Sequence, residues 1–274
     1  MDKSTRELRS SWLWTPREDE VIRANSPQLS YRELADILPG RTRVAVRERS
    51  YFLGMPLRGT FPPVTRRALN ETYFSDLSLQ SAYWAGFIAA DGCVVRKPRR
   101  ELRIGIHQRD TNQVERFVSD VGFDGAIAFR NRMCYVTICA ADRWLADLEL
   151  SYNIGPQKTM DLQPPNVSGV LALAYSIGYI DGDGCWAIQN RKHNTKMLVV
   201  VGTAPLLEWL KRLWVEHGAT VGNTKISFKR NVWRLSITGS HAESIVRLLG
   251  NVPVARMERK WRVARGETFG QEKS

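Results

Sequence analysis

Hydrophobic and polar positions follow two different patterns along this chain. In the first sixty residues, apolar positions recur at helical spacing between turn signals. From about residue 78, two nearly uncharged segments are each followed by alternating, strand-like stretches and amphipathic helical stretches. This order predicts an α+β protein with a small three-helix domain at 10–57, a basic linker at 58–77, and two pseudo-symmetric αββαββα halves at 78–168 and 169–265.

The three helices near the start of the chain have recognisable beginnings. Thr15 is followed by Pro16 and Glu18, and Ser30 is followed three residues later by Glu33, so both sites read as capped helix starts. Thr42 begins the third helix. Three short helices with short connections form a size class that includes helix-turn-helix domains.

The third predicted helix has two different sides. Its apolar side consists of Ala45, Val46, Phe52 and Leu53, and its other side carries Arg43, Arg47 and Ser50. An arginine-bearing third helix suits the major groove of DNA. The alternative is a solvated charged face on a module that docks to another protein.

An internal repeat is the strongest pattern in the sequence. The segments SAYWAGFIAADGC at 81–93 and LAYSIGYIDGDGC at 173–185 align without a gap. Small residues recur at every fourth position: Ala82, Gly86 and Ala90 in the first copy, and Ala174, Gly178 and Gly182 in the second. On helices these positions form flat stripes that permit close backbone approach, so the two segments are predicted to pack against each other.

Each repeat ends in an acid followed by glycine, Asp91 before Gly92 and Asp183 before Gly184. The glycines suit the left-handed position after a helix. Two carboxylates at helix C-termini meet the negative ends of the helix dipoles and repel each other. A divalent cation would offset this cost, and hard oxygen ligands suit Mg²⁺ or Mn²⁺. The alternative is that each Asp-Gly pair is simply a turn.

Basic residues lie in or beside the turns of all four predicted hairpins. They are Arg96, Arg100, Arg103, Arg130, Arg132, Arg191, Lys192, Lys229 and Arg230. One basic turn is ordinary, but four at equivalent places predict a saddle of two sheets laid along double-stranded DNA, with turns contacting phosphates.

The overall charge agrees with an anionic partner. Lys and Arg number 40 against 28 acids, which gives a formal charge of +12, and favours nucleic acid first and an acidic membrane surface second. Prolines interrupt the longest uncharged run, 162–180, and the N-terminus lacks a secretory pattern. Four cysteines without CxxC spacing indicate neither zinc nor disulfides. We expect a soluble intracellular monomer, in a bacterial or phage-infected cell or an organelle, with no membrane association and no nucleotide cofactor.

The repeated segments identify a family resemblance. WAGFIAADG at 84–92 and SIGYIDGDG at 176–184 resemble the two LAGLIDADG motifs of a single-chain homing endonuclease, and the likeness extends over about 78–265. The resemblance implies that Asp91 and Asp183 bind the catalytic metal, and that the enzyme, mobile with an intron or intein, makes a staggered cut in both DNA strands. The first motif departs from the pattern at Ala89, where the second has Asp181. The front segment resembles Myb/SANT-like helix-turn-helix domains.

The resemblance implies further active-site positions. Gln108 matches a polar residue at the end of the second strand that organises water, and Lys158 and Lys260 match a basic position after the last helix of each half. These lysines either support the site, hold phosphates, or are solvent-exposed. The alternative to a nuclease is a non-cleaving protein on the same scaffold, either a DNA-binding regulator or an intron-RNA maturase.

Overall fold

The chain divides into two compact units, Met1–Thr65 and Arg66–Ser274. The computed structural model describes residues 14–26, 28–55, 67–95, 100–139, 141–156, 158–190, 193, 195–229 and 231–267. Among these residues, no helix is both long enough and apolar enough to cross a membrane.

The small unit contains three helices, α1 (Pro16–Asn25), α2 (Tyr31–Ile37) and α3 (Arg43–Phe52). Thr15 and Ser30 each form a capping box with the glutamate three residues later, and Thr42 accepts from the backbone of Ala45, as the sequence predicts. These bonds satisfy backbone N–H groups that the first helical turn leaves without partners. A separate apolar core joins the helices and consists of Ile22, Tyr31, Leu34, Leu38 and Val46.

Two ion pairs connect α1 to later parts of the small unit. Arg41 donates to Glu18 at 2.6 Å, and Arg49 donates to Asp19 at 2.6 Å. The hydrogen bond from Arg41 is the main reason that the pKa of Glu18 is lowered to about 2. The pairs therefore hold the N-terminal helix of this unit against the segments that follow it.

Helix α3 differs from its predicted two-sided pattern at two positions. Ser50 was expected beside Arg43 and Arg47 but is fully buried, and its hydroxyl donates to the carbonyl of Val46. Phe52 was expected in the core but is 77% exposed. A serine that bonds its own helix backbone no longer needs water, so Ser50 occupies the core side. Arg43 and Arg47 are exposed, and Arg47 pairs with Glu48.

The large unit confirms the predicted αββαββα order in both halves. The first half contains α4 (Leu79–Asp91), β1 (Gly92–Val95), β2 (Glu101–His107), α5 (Thr111–Asp120), β3 (Ala128–Arg130), β4 (Met133–Cys139) and α6 (Asp142–Tyr152). A short helix, α7 (Lys158–Asp161), leads to the second half. That half contains α8 (Gly169–Asp183), β5 (Gly184–Asn190), β6 (Thr195–Gly202), α9 (Ala204–Glu216), β7 (Ile226–Lys229), β8 (Val232–Thr238) and α10 (Ser240–Gly250). A final helix, α11 (Glu258–Arg265), follows it.

Each half contains a four-stranded antiparallel sheet. The strand orders are β1-β2-β4-β3 and β5-β6-β8-β7, so the two sheets have the same topology. Along β2, Leu102, Ile104 and Ile106 are buried while Arg103 and His107 are exposed. This alternation buries one face of the sheet against helices and leaves the other face open.

Part of the predicted linker is packed into the large unit. Within 67–77, Phe74 is fully buried and lies edge-on to Trp144, with ring centroids 5.0 Å apart. The carbonyl of Asn70 accepts from the Trp144 indole at 2.8 Å. Residues 67–77, which the sequence assigns to a linker, therefore pack against the large unit through a buried aromatic side chain, in a stretch that has no regular period. Residues 58–66 lie outside the described part of the chain.

Candidate active site

Helices α4 and α8 pack with almost no space between their backbones. A Cβ atom at Gly86 would lie 2.0 Å from the carbonyl oxygen of Tyr175, and one at Gly178 would lie 1.9 Å from that of Tyr83. A Cβ at Gly182 would lie 2.2 Å from the Cβ of Ala90. The remaining two residues of the stripes, Ala82 and Ala174, are fully buried. Only glycine permits this approach, so the small-residue stripes lie at the contact between the helices.

Asp91 and Asp183 are the last residues of these two helices. Each is followed by a glycine, as expected, but the reason for the glycine is different. Gly92 and Gly184 have extended backbones with φ of −81° and −94°, not left-handed ones. A Cβ at Gly92 would lie 2.6 Å from the carbonyl oxygen of Ile88, and the same conflict occurs at Gly184. The glycines therefore allow the chain to turn sharply from helix into strand.

Lys158 and Lys260 neutralise the C-terminal ends of the two helices. The Nζ of Lys158 donates to the carbonyl of Ala89 at 2.5 Å and of Ala90 at 3.2 Å. The Nζ of Lys260 donates to four carbonyls at the end of α8, with distances of 2.5 Å to Asp181, 2.8 Å to Gly182, 2.8 Å to Gly184 and 3.4 Å to Ile180. Helix C-termini leave carbonyl groups without partners and carry partial negative charge, so a cation is stabilising there.

Both lysines lower the pKa of both acids, and each acts more strongly on the acid of the opposite half. Burial, and then the charge of Asp183, raise the pKa of Asp91 to about 6, and Lys260 opposes this more strongly than Lys158. Burial raises the pKa of Asp183, and here Lys158 opposes more strongly than Lys260. We name these groupings site 1, with Asp91 and Lys260, and site 2, with Asp183 and Lys158. Each site therefore combines residues from both halves.

Site 2 opens into a cavity of about 380 Å³. Asp183 and Lys158 line it with Ala89 and Thr203, and so does the exposed aromatic pair Phe228 and Trp233 of the β7–β8 hairpin. The Thr203 hydroxyl donates to the carbonyl of Leu162 at 2.5 Å, which ties β6 to the segment after α7. Asp183 thus lines an open cavity whose wall is partly apolar.

Asp181, the acid that the first motif lacks, is fully buried and makes structural contacts. Its carboxylate accepts from the Tyr83 hydroxyl at 2.8 Å, the Met257 backbone N–H at 2.6 Å and the Trp261 indole at 2.7 Å. These three donors satisfy a carboxylate that burial would otherwise strongly penalise. Asp181 therefore joins α4, α8 and the segment that carries Lys260. Ala89, at the equivalent position of the first motif, has no side-chain acceptor for such hydrogen bonds.

An ion pair between Asp110 and Arg259 joins the two halves and was not predicted from the sequence. Arg259 donates through Nε and Nη2 to the two oxygens of Asp110, both at 2.8 Å, and Asp110 is 6% exposed. Asp110 follows β2 in the first half and Arg259 lies on α11 in the second. Nothing in the local sequence marks this pair, because its members are 149 residues apart.

Gln108 lies in a short 3-10 turn, Gln108–Asp110, directly after β2. Its side chain is exposed, and its backbone N–H donates to the carbonyl of Arg132 at 2.8 Å. Equivalent strand registers, Gly92 opposite Ile104 and Gly184 opposite Val200, place Thr203 at the position of His107. The second half therefore has no polar counterpart of Gln108 at the same register, where it has Ala204.

Of the nine hairpin residues predicted to contact DNA, five lie in the described part of the chain. Arg103 and Arg130 lie on the open face of the first sheet, Arg100 and Arg132 lie in turns, and Lys229 ends β7. Arg100 pairs with Asp142, and Arg103 pairs with Glu101. Sequence reasoning missed Arg234, which shares the open face of the second sheet with Lys229 and donates to Ser236. The remaining candidates lie outside the described residues and are Arg96, Arg191, Lys192 and Arg230.

Comparison with known proteins gives structural relatives only. No family model and no curated protein sequence matches the chain. Solved structures of LAGLIDADG homing endonucleases are similar in fold. I-GzeII in complex with its DNA target is 12% identical, with 69% of this chain and 89% of that chain covered and a TM-score of 0.49. I-LtrWI bound to target DNA is 10% identical, covering 72% and 90%, with a TM-score of 0.46. I-AabMI bound to uncleaved DNA is 12% identical, covering 67% and 87%, with a TM-score of 0.44.

Proposed function

We propose that this chain is a site-specific double-strand DNA endonuclease that uses Mg²⁺ or Mn²⁺. The observation that carries the proposal is the pair of mostly buried carboxylates, Asp91 and Asp183, at the adjoining ends of two packed helices. The charges of Lys158 and Lys260 lower the pKa of both carboxylates. Two similar sites related by a pseudo-dyad fit a substrate with two similar strands.

The residues present fit a divalent cation. Asp91 and Asp183 supply hard oxygen ligands, and their burial and mutual repulsion give the pair a cost that a cation would offset. In the described part of the chain, no group of three or more His, Cys, Asp or Glu side chains is arranged to hold a metal. Mg²⁺ is often held by one or two carboxylates together with water and substrate phosphate. When bound, such an ion lowers the pKa of water and stabilises the leaving oxygen.

The protein itself contributes position and charge. In the proposed reaction a water oxygen forms a bond to phosphorus, one P–O ester bond breaks, and the released oxygen takes a proton while the water gives one up. Asp91 and Asp183 keep their positions because the close packing of the small-residue stripes fixes the helix ends. Lys158 and Lys260 reduce the negative electrostatic potential at the helix ends. Gln108 orients water in site 1.

The two open sheet faces supply the proposed DNA surface. Arg103 and Arg130 on one sheet, and Lys229 and Arg234 on the other, are the described lysines and arginines on the open faces. The formal charge of +12 provides the sequence-independent attraction to phosphates. Base contacts would come from side chains between these arginines and lysines.

A cleavage selection tests the proposal. The full chain is incubated with a randomised plasmid library and Mg²⁺, and linear products are sequenced, with EDTA as the control. We expect a long, weakly symmetric target and no linear product in EDTA. Sequence-specific binding without cleavage in Mg²⁺ or Mn²⁺ would overturn the nuclease assignment in favour of a DNA-binding regulator, and selective binding of a structured intron RNA would favour a maturase.

For the small unit we propose a separate DNA contact through Arg43 and Arg47, which are exposed on α3. Deleting residues 1–60 should weaken DNA binding, and the salt dependence should flatten by about one unit for each phosphate that the protein no longer neutralises. Cleavage at saturating DNA should persist, because the acids lie in the large unit. The double variant Arg43→Ala/Arg47→Ala should reproduce part of this weakening in the intact chain. An unchanged footprint and salt slope after truncation would instead favour a protein partner.

A further inference from the structure

Helix α11 presents three successive side chains to three different places. Arg259 reaches Asp110 of the first half, Lys260 reaches the carbonyls at the end of α8, and Trp261 reaches Asp181. Lys260 is therefore flanked by two anchored neighbours. One anchor, Asp181, belongs to the same half as α11, and the other, Asp110, belongs to the opposite half.

The Asp110–Arg259 pair, which joins the two halves, has bidentate hydrogen-bond geometry. Two parallel hydrogen bonds of 2.8 Å join the guanidinium of Arg259 to a carboxylate that is almost completely buried. A forked, charge-assisted pair of this kind fixes direction as well as distance. By contrast, the pairs that Arg265, the last residue of α11, forms with Glu258 and Glu267 are exposed, and such pairs contribute little.

We propose that the Asp110–Arg259 ion pair is a positioning device for Lys260, which fixes α11 against the first half and so holds the Lys260 ammonium at the end of α8 near Asp91. Asp110 and Arg259 do not contact the reacting atoms in this proposal. They act through the lysine between the anchors, and they make site 1 depend on contact between the halves.

Among the described residues, no ion pair equivalent to Asp110–Arg259 accompanies site 2. There, the threonine that caps the helix after β6, Thr203, makes a single hydrogen bond to the backbone of Leu162. Lys158 lies on the four-residue helix α7 and has no arginine before it. Lys158 is therefore a matched internal control, since it makes the same kind of helix-end contact without the ion pair.

Lysine acylation of the intact protein tests the proposal without DNA. The Nζ of Lys260 is protected by its four carbonyl partners, and its rate of modification by an acetylating reagent is read by mass spectrometry. In Asp110→Asn and in the milder Arg259→Lys, we expect this rate to rise about tenfold because a charged hydrogen-bond pair is broken. The rate at Lys158 should not change. The double variant Asp110→Asn/Arg259→Lys should show no larger effect than the stronger single variant.

Three outcomes would overturn the proposal: unchanged protection of Lys260 in both single variants, an equal rise at Lys158, or additive effects in the double variant. Glu258→Gln, which breaks an exposed pair on the same helix, is the control variant and should leave both rates at the wild-type level. Because Arg259→Lys keeps the charge, it guards against a variant that fails to fold.

A second test rests on the proposed function. On a supercoiled plasmid that carries the selected target, Arg259→Lys should slow one strand more than the other, so nicked circles accumulate before linear DNA. Equal slowing of both strands would contradict a role confined to site 1. If the wild-type chain does not cleave at all, the proposed function fails, and the acylation result still decides the positioning role.

Discussion

Sites 1 and 2 lie at the ends of the same two helices yet are built differently. In site 1, the residue before the lysine is Arg259, which forms an ion pair with Asp110. Around Asp183, Lys158 is accompanied by a cavity with a partly apolar wall. The αββαββα halves are alike in strand order, so the difference does not come from the sheets.

The segments that trail each half produce the difference. After the first half, α7 is four residues long and supplies Lys158 to the helix ends. After the second half, α11 is eight residues long and supplies an arginine, a lysine and a tryptophan in succession. A helix of two turns can present neighbouring residues in different directions, so one element reaches three partners. Pseudo-symmetry of the fold therefore does not require equivalence of the two sites.

The largest expected effect comes from removing either acid. Asp91→Asn and Asp183→Asn should each reduce cleavage by about a thousandfold or more, equivalent to about 4 kcal/mol in the barrier. DNA affinity should stay the same or improve, because the change relieves carboxylate repulsion and leaves the sheet faces intact. Cleavage and binding are measured on the same selected target. Full activity of either variant would place the metal site elsewhere and remove the basis for comparing two sites.

The next largest effect is expected from disrupting the contact between the small-residue stripes of α4 and α8, which brings the two sites together. Gly178→Ala should destabilise the large unit by about 3 kcal/mol or more, because the new Cβ would lie 1.9 Å from the Tyr83 carbonyl oxygen. Denaturant unfolding measures the decrease in stability.

The control is Gly250→Ala at the end of α10, where a Cβ would meet nothing within 4 Å. It should be neutral or stabilising by up to about 1 kcal/mol. Equal stability of the two variants would show that α4 and α8 can separate without cost.

A third prediction concerns the asymmetry at Ala89 and Asp181. Asp181→Ala gives the second motif the residue of the first, and it should destabilise the protein by about 3 kcal/mol because three buried donors lose their acceptor. Asp181→Asn keeps acceptor capacity and should cost less. Chemical unfolding of both variants checks the order, and a neutral Asp181→Ala would contradict the anchoring role.

The smallest effect is a pH dependence at site 1. Because the pKa of Asp91 is raised to about 6 from 3.8, its ionisation opposes folding as pH rises through this window. The free energy of unfolding of the wild type should therefore fall relative to Asp91→Asn between pH 4 and pH 6, by at most about 1.4 kcal/mol per pH unit. Urea titrations without metal give the difference. A constant difference across this range would argue against a raised pKa.

Local patterns determined much of the fold and the identity of the two acids. Hydrophobic periodicity gives the order of helices and strands, and the gapless repeat places Asp91 and Asp183 at equivalent helix ends. The caps at Thr15, Ser30 and Thr42 are likewise read from a few neighbouring residues. These features are available to sequence reasoning because the interactions behind them lie within one or two turns of chain.

Contacts between distant segments were decided by the tertiary structure alone. They include the hydrogen bonds of Lys158 and Lys260 to the helix ends, the Asp110–Arg259 pair, and the burial of Phe74 within a predicted linker. The sequence determined which residues carry charge and which can be buried. It did not determine their partners, because pairing between segments that are far apart in the chain depends on how those segments pack, and that packing leaves no period along the chain.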